Sequence, residues 1–474
     1  MKKHAFLFLL CAIFSTTSYS QQKKEWTFEE CVNYALENNI DIRQSQQDVA
    51  MADYNRDANI ANFAPNLTLS GGYNWNFGLS IDPVTNLPSR IDRQTGNLTL
   101  SSSWVLFDGL RNINQYQQGR IDYLASTYQL SAIRNDVTVN VASNYLQIVM
   151  NKEVLTVATE QYNNSVRMYE QAQKRREAGV IAEGELLQAE SQMASDEQRM
   201  VVAENNVILS RLALAQLLQL DDPSSFDVSS PDLDIPEGAI LARSPQSIYE
   251  SAREVQPVIQ ASELNVQSAE LALDQSQGQI WPTISLRAAV STNYSDQIPT
   301  YDGTQTVVSQ IGYWDDMGTQ VPVFRQVDVP VGGEIKPVGP QLSDNLNQFV
   351  GLNLTWPIFS RLQVRNDIRR QEFQVTRAEL EQERTENQLQ QTIERAHADA
   401  KASLKAYNAS TKAADAAKTN LDFATIRREE GAISQYEFET ARNNYLAAKS
   451  QQLQSKYDYI FKIRVLEFYL TNQL

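Results

Sequence analysis

Two histidines, His4 and His397, and two cysteines, Cys11 and Cys31, are all that 474 residues offer for imidazole or thiol chemistry. A nucleophile–histidine–carboxylate triad needs an imidazole beside both partners, and a zinc centre needs several imidazole or thiolate ligands. Neither can be assembled from this supply, so no catalytic residue, no metal ligand and no cofactor is expected. Carboxylates are plentiful, but no spacing isolates a pair for acid–base work. What does stand out is a recurring constellation: Arg175, Gly179 and Glu185 return 252 residues later as Arg427, Gly431 and Glu437. Glycine is the residue that ends a helix in a left-handed conformation, and a cation just before it is favoured by the helix dipole. The chemistry available is therefore that of charged turns.

Those turns belong to a chain addressed out of the cytoplasm. Lys2 and Lys3, an apolar run from Ala5 to Phe14 and small residues ending at Ser20 read as a secretory signal over 1–20. Leu10 precedes Cys11 where a lipoprotein signal wants a small residue, so lipidation is not expected. Cys31 is left as the single cysteine of the mature chain, and packing alone must hold the fold. Loss of the signal takes the formal charge from −16 to −18, which argues against nucleic acid and anionic surfaces as partners. Mean hydropathy is −0.41, and no stretch after the signal reads as the roughly 20 apolar residues of a spanning helix. A membrane would have to be crossed by strands.

The chain is written twice. At an offset of 217, Ala35, Glu37, Ile42, Ser45, Val49 and Pro65 recur as Ala252, Glu254, Ile259, Ser262, Val266 and Pro282; further on, at an offset of 252, Trp104 and Phe107 recur as Trp356 and Phe359. The first copy occupies 21–220, the second 244–474, and the proline-rich acidic stretch 221–243 reads as a linker or equatorial segment with room for short strands. The two offsets imply about 35 extra residues in the second copy, expected as an irregular loop over 296–345 because of its Pro and Gly content.

Each copy predicts helix, two strands, a long helix, a turn and a returning helix. Strands are expected at about 65–77, 97–107, 282–294 and 348–359, alternating apolar and small polar residues with period two. Such alternation suits a soluble sandwich or a lipid-facing strand; lengths near ten residues and aromatics near the strand ends favour the second. Long helices are expected at 108–176, 182–219, 361–428 and 434–471. The first would reach about 100 Å at 1.5 Å per residue, with a thin coiled-coil seam. Four strands cannot close a barrel, and unpaired edges in lipid are untenable, so self-association is required: three copies would make twelve strands.

The order of these parts, with Pro65 and Pro282 before strands, Trp-x-x-Phe at Trp104 and Trp356 and Arg-x-x-x-Gly at Arg175 and Arg427, resembles the TolC family of outer-membrane efflux proteins. The resemblance implies a mixed, mainly α fold: a homotrimer whose 12-stranded β-barrel in outer-membrane lipid continues as a periplasmic α-helical tunnel. It further implies an exit duct docking onto a periplasmic adaptor and an inner-membrane pump, for efflux or type I secretion. On this likeness Arg175, Gly179, Arg427 and Gly431 are adaptor-contacting turns, or the arginines simply cap their helices. Glu185 and Glu437 occupy the place of lumen-facing acids at a cation-selective mouth, or lie on an ordinary solvated face. The sequence departs from the family at Gln188 and Thr440, where a second acid is common, and at Ile433, where a locking arginine is found. The rival reading is a periplasm-spanning coiled-coil scaffold or adhesin without transport.

Overall fold

The computed structural model describes residues 25–81, 88–90, 92–223, 225–231 and 233–472. The expected signal over 1–20 lies outside them. In chain order the elements are β1 (Glu25–Trp26), α1 (Phe28–Asn38), α2 (Ile40–Ala61), β2 (Asn66–Asn76), β3 (Leu79–Ile81), β4 (Pro88–Arg90), β5 (Arg93–Phe107), α3 (Arg111–Glu177), α4 (Glu183–Leu218) and β6 (Asp227–Val228). The second half continues with α5 (Pro245–Val255), α6 (Pro257–Gly278), β7 (Thr283–Ser295), β8 (Pro299–Asp316), β9 (Thr319–Ile335), α7 (Val338–Asp344), β10 (Asn347–Thr355), α8 (Gln363–Glu429) and α9 (Gln435–Thr471). The fold is mainly helical with some sheet, and the chain divides into two compact units.

One unit comprises the described parts of Met1–Ala52, Asp122–Val266 and Ala378–Leu474. It holds two cores, and they are copies of one another. Cys31, Ala35, Ile42, Val141, Ile148 and Leu214 are fully buried in the first; the residues 217 or 252 positions on, Ile248, Ala252, Ile259, Ile393, Ala400 and Leu466, are fully buried in the second. The opening helix of each copy, expected as one, is broken in two. Asn39 interrupts the first by accepting hydrogen bonds on Oδ1 from the Asp41 and Ile42 amides, and Pro257 starts a new helix in the second. Asn39 Nδ2 reaches the Leu217 carbonyl, and Gln256 Nε2 reaches the equivalent Tyr469 carbonyl at 3.0 Å. Between the copies β6 pairs in parallel with β1, so the expected linker carries a short strand.

The other unit, Asp53–Ile121 with Gln267–Arg377, contains an antiparallel sheet in the order β10-β7-β5-β2. Its register puts Leu67, Leu69, Tyr73 and Trp75 on the same face as Leu98, Leu100, Leu286, Val290, Leu352 and Leu354. The opposite face carries Asn, Thr, Ser and Gly almost throughout, with Arg93 and Arg287 but no carboxylate. Trp104 Nε1 donates to the Phe63 carbonyl at 2.8 Å, and Trp356 Nε1 makes the same bond to Ile280 at 3.1 Å, one indole per copy at one end of the sheet. Tyr73, Trp75 and Tyr294 cluster at the other end, with centroids 4.8 and 6.2 Å apart. Within one chain this sheet does not close: β2 and β10 are open edges.

Two expectations need correction. The insertion at 296–345 is no irregular loop but a long antiparallel hairpin, β8–β9, followed by the short helix α7. Its alternating valines, threonines and tyrosines favour strand, and Pro322 and Pro330 occupy ladder positions that a strand tolerates where the missing N–H would face away from its partner. Secondly, α4 is, among the described residues, one helix long and apolar enough to cross a bilayer by length and composition, with an 18-residue window of mean hydropathy 1.2. A third of that window is buried, and Leu187, Val201 and Ile208, seven residues apart or multiples of it, form an exposed apolar stripe. A stripe at that spacing suits a helix-packing seam, and among the described residues nothing covers it.

Candidate functional site

Both long helices end in the same device. Gly179 has φ 72° and Gly431 φ 73°, a conformation that a side chain would oppose. In the first turn the Gly179 amide donates to Arg176 O at 2.9 Å and the Val180 amide to Arg175 O at 2.8 Å. In the second, Gly431 donates to Arg428 O at 3.0 Å and Ala432 to Arg427 O at 2.7 Å. These are paired Schellman motifs, in which Arg175 and Arg427 hold corresponding positions three residues from the helix end. Arg175, Gly179, Arg427 and Gly431 are all exposed, so the turns present an unobstructed surface.

The helices that leave the turns begin differently. Ser434 and Glu437 form a capping box: Ser434 Oγ accepts from the Glu437 amide at 3.2 Å, and Glu437 Oε2 accepts from the Ser434 amide at 3.1 Å. Ala182, in the corresponding place, makes no side-chain cap. Glu183 pairs instead with Arg176 at 2.6 Å, and Glu185 is left without a capping task. Glu185 lies with Arg175 along a narrow cavity of about 50 Å³ that Arg428, Glu439 and Arg442 also line. The fold thus brings Arg175 and Glu185 together, while Glu437 is occupied at its own helix start. At the departures from family pattern, Gln188 is exposed, Thr440 Oγ1 bonds the Tyr436 carbonyl at 2.8 Å, and Ile433 packs onto an apolar cluster of Ala424, Phe438 and Ala441.

Behind that cavity is a charged cluster that joins the two helical hairpins. Asp196 of α4 is wholly buried and its Oδ2 accepts from Gln161 Nε2 at 3.0 Å, Gln192 Nε2 at 3.1 Å, Ser165 Oγ, and Arg442 at 3.3 Å. Arg442 of α9 also meets Glu439 Oε2 at 2.7 Å and directs a second nitrogen to Met168 Sδ at 2.9 Å. Burial raises the Glu439 pKa against the pull of Arg442, Gln435 and Arg428, with Asp196 adding to the rise. Arg442 Nε and Glu439 Oε2 lack hydrogen-bond partners of good geometry. The cluster spans both helical hairpins, and removing one partner of such a buried pair leaves the other charge poorly compensated.

Sequence reasoning missed Asp196, Glu439 and Arg442. A signal existed: Ala189, Met193, Asp196, Met200, Ala203 and Val207 follow the alternating four-and-three spacing of a coiled-coil seam, as do Phe438, Arg442 and Tyr445. A charge at a seam position must be paired or hydrated.

A family model described as outer membrane efflux protein matches residues 31–219 and 340–469. The outer membrane efflux protein BepC of Brucella suis biovar 1 (strain 1330) is 23% identical over 431 residues, covering 90% of this chain and 81% of BepC. The crystal structure of the outer membrane protein VceC from Vibrio cholerae matches with a TM-score of 0.72 at 15% identity, covering 94% of this chain and 95% of that one. The Campylobacter jejuni CmeC outer membrane channel matches with a TM-score of 0.68 at 18% identity, covering 94% and 85%.

Proposed function

The chain belongs to the outer membrane efflux protein family, and from that premise, which makes it an outer-membrane efflux channel, we propose that three copies share one barrel and act as the exit duct of a tripartite efflux or type I secretion system. The observation that carries this is the sheet with one apolar face, one uncharged or basic polar face, and two open edges. Lipid suits the first face and a watery lumen the second. Open edges in lipid leave backbone groups without partners, and pairing β2 of one copy with β10 of the next removes them in a twelve-stranded ring. The helical hairpins then form the periplasmic tunnel, and the exposed stripe on α4 supports packing between copies.

At the tunnel's inner end the turns at Arg175, Gly179, Arg427 and Gly431 meet a periplasmic adaptor, which links the duct to an inner-membrane pump. Support comes from their shared geometry: a trimer presents six near-equivalent turns, a repeating surface on which a ring of adaptors could sit. Glu185, free of any capping bond, and Glu437 give the mouth a negative field that favours cations. No catalytic step is assigned to the chain. A scaffold or adhesin would share the coiled coils but gives no reason for four amphipathic strands with a bare apolar face and open edges.

Single-channel recording of the purified protein in a planar bilayer, with its mass fixed first by light scattering, tests this reading. A trimer passing small cation-selective currents, whose selectivity falls in a Glu185→Gln, Glu437→Gln double variant, is the expected result. A monomer, or a trimer that never conducts, would return the chain to the scaffold class.

A further inference from the structure

The hairpin inserted in the second copy is the largest element that the repeat does not account for. Along β9, Val321, Val323, Val327, Val329 and Val331 all point to one face, and cross-strand register adds Trp314 from β8 to the same face. These valines are 37–47% exposed and Trp314 67%. The opposite face is more polar: Gln326 lies across from Val308, Phe324 from Gln310, and Asp328 takes a 2.6 Å hydrogen bond from Thr306 across the ladder. A two-stranded ribbon standing alone is marginal in water, and this one is amphipathic with its apolar face bare.

The edge of β9 is a poor place for a partner. Pro322 and Pro330 have no N–H to offer, and eight residues apart in one strand they interrupt the same edge. Strand addition at that edge is disfavoured, while the bare valine face offers a broad apolar surface. The root of the hairpin says where it starts: the Lys336 amide bonds Ile298 O at 2.9 Å, Gln341 Nε2 bonds Ser295 O at 2.9 Å, and the Asp296 amide bonds Gln94 O at 3.1 Å. It thus springs from the end of β7 and the start of β5, between β7 and the edge strand β10.

We propose that the valine face of β8–β9 is the contact surface for the same hairpin of a second copy, three hairpins packing their apolar faces around one axis as a collar over the outer exit. The proposal rests on the trimeric barrel above. In that barrel β10 pairs with the neighbouring copy, so three hairpins leave the rim side by side, and tethering gives each a high effective concentration for its neighbours. Valine, glycine and serine make a flat face suited to sheet-on-sheet packing, and the one charge in it, Arg325, has an arm long enough to carry its guanidinium past the valines to the rim.

A three-fold axis puts identical residues at the same height, which makes single cysteines decisive. Val323→Cys and Val327→Cys variants of the purified protein, oxidised in detergent, should form disulfide-linked dimers in yields about tenfold above Gln326→Cys on the opposite face, because disulfide geometry tolerates little separation. Native Cys31 is buried and does not interfere. A trimer, by light scattering, in which the faces cross-link equally or not at all overturns the collar and leaves the duct standing. Absence of a trimer overturns both. In intact outer membranes, disulfide capture of a different protein in place of the self-dimer would show the face to be covered by another partner and would also refute the collar.

Discussion

Replacing Arg442 by methionine removes the cation that Asp196 and Glu439 share at 3.3 and 2.7 Å, in a place where the side chains of Asp196 and Arg442 are 0% and 7% exposed. Breaking one side of a buried pair costs about 3–5 kcal/mol, because the remaining charge is uncompensated. Asp196 keeps Gln161, Ser165 and Gln192 as donors and Arg199 as a cation at 3.4 Å, so the lower end, about 3 kcal/mol, applies. That is roughly a hundredfold change in a local opening equilibrium. Amide hydrogen exchange, followed by mass spectrometry on peptides spanning 160–177 and 435–446, reads the opening directly. Glu439 adds a pH test. Its pKa is already raised by burial and would rise further without Arg442. A group whose folded pKa is raised contributes stability that is present at low pH and lost as pH rises through the folded value, so acidification should restore part of the protection. Adding Glu439→Gln should do the same at neutral pH. An increase in exchange below about tenfold, or a double variant no better than the single one, would refute the idea that this cluster holds the hairpins together.

The Cys31 thiol, fully buried and pushed up to about 12 by burial and then by Glu30, should remain unmodified by maleimide at pH 8 in the folded protein and react only on denaturation; rapid native labelling would count against the packed first core. Burial of Asp227 opposes ionisation, but a hydrogen bond and charge from Lys152 at 2.7 Å, the Val228 amide and Arg211 outweigh it and hold the carboxyl below its ordinary range. With the folded pKa depressed, this contribution is present above about pH 4 and lost as pH falls through the folded value. Asp227→Asn should therefore cost on the order of 1 kcal/mol in urea unfolding at pH 7, with the gap to the parent narrowing as pH falls below about 4; a gap independent of pH would remove the carboxylate from the account.

Much of this architecture is written in local signals. A helix of 67 residues follows from a stretch free of proline, whose only glycine is Gly119, and strands with one apolar face follow from strict alternation, because both depend on backbone propensity and period alone. The repeat marks the two turns in the sequence, and glycine at 179 and 431 is enough to specify their left-handed ends. Prolines and glycines in 296–345 do not mark an irregular loop, because they are punctuation only where no ladder bond is needed, and pairing across β8 and β9 decides that. Glu185 and Glu437 look equivalent in sequence, yet one lines a cavity and the other caps a helix, because Ala182 and Ser434 precede them by three residues. The Asp196–Arg442 pair joins residues 246 positions apart. Which charges at seam positions meet depends on the relative register of two separate helical hairpins, and register is a property of packed side chains that no window of sequence contains.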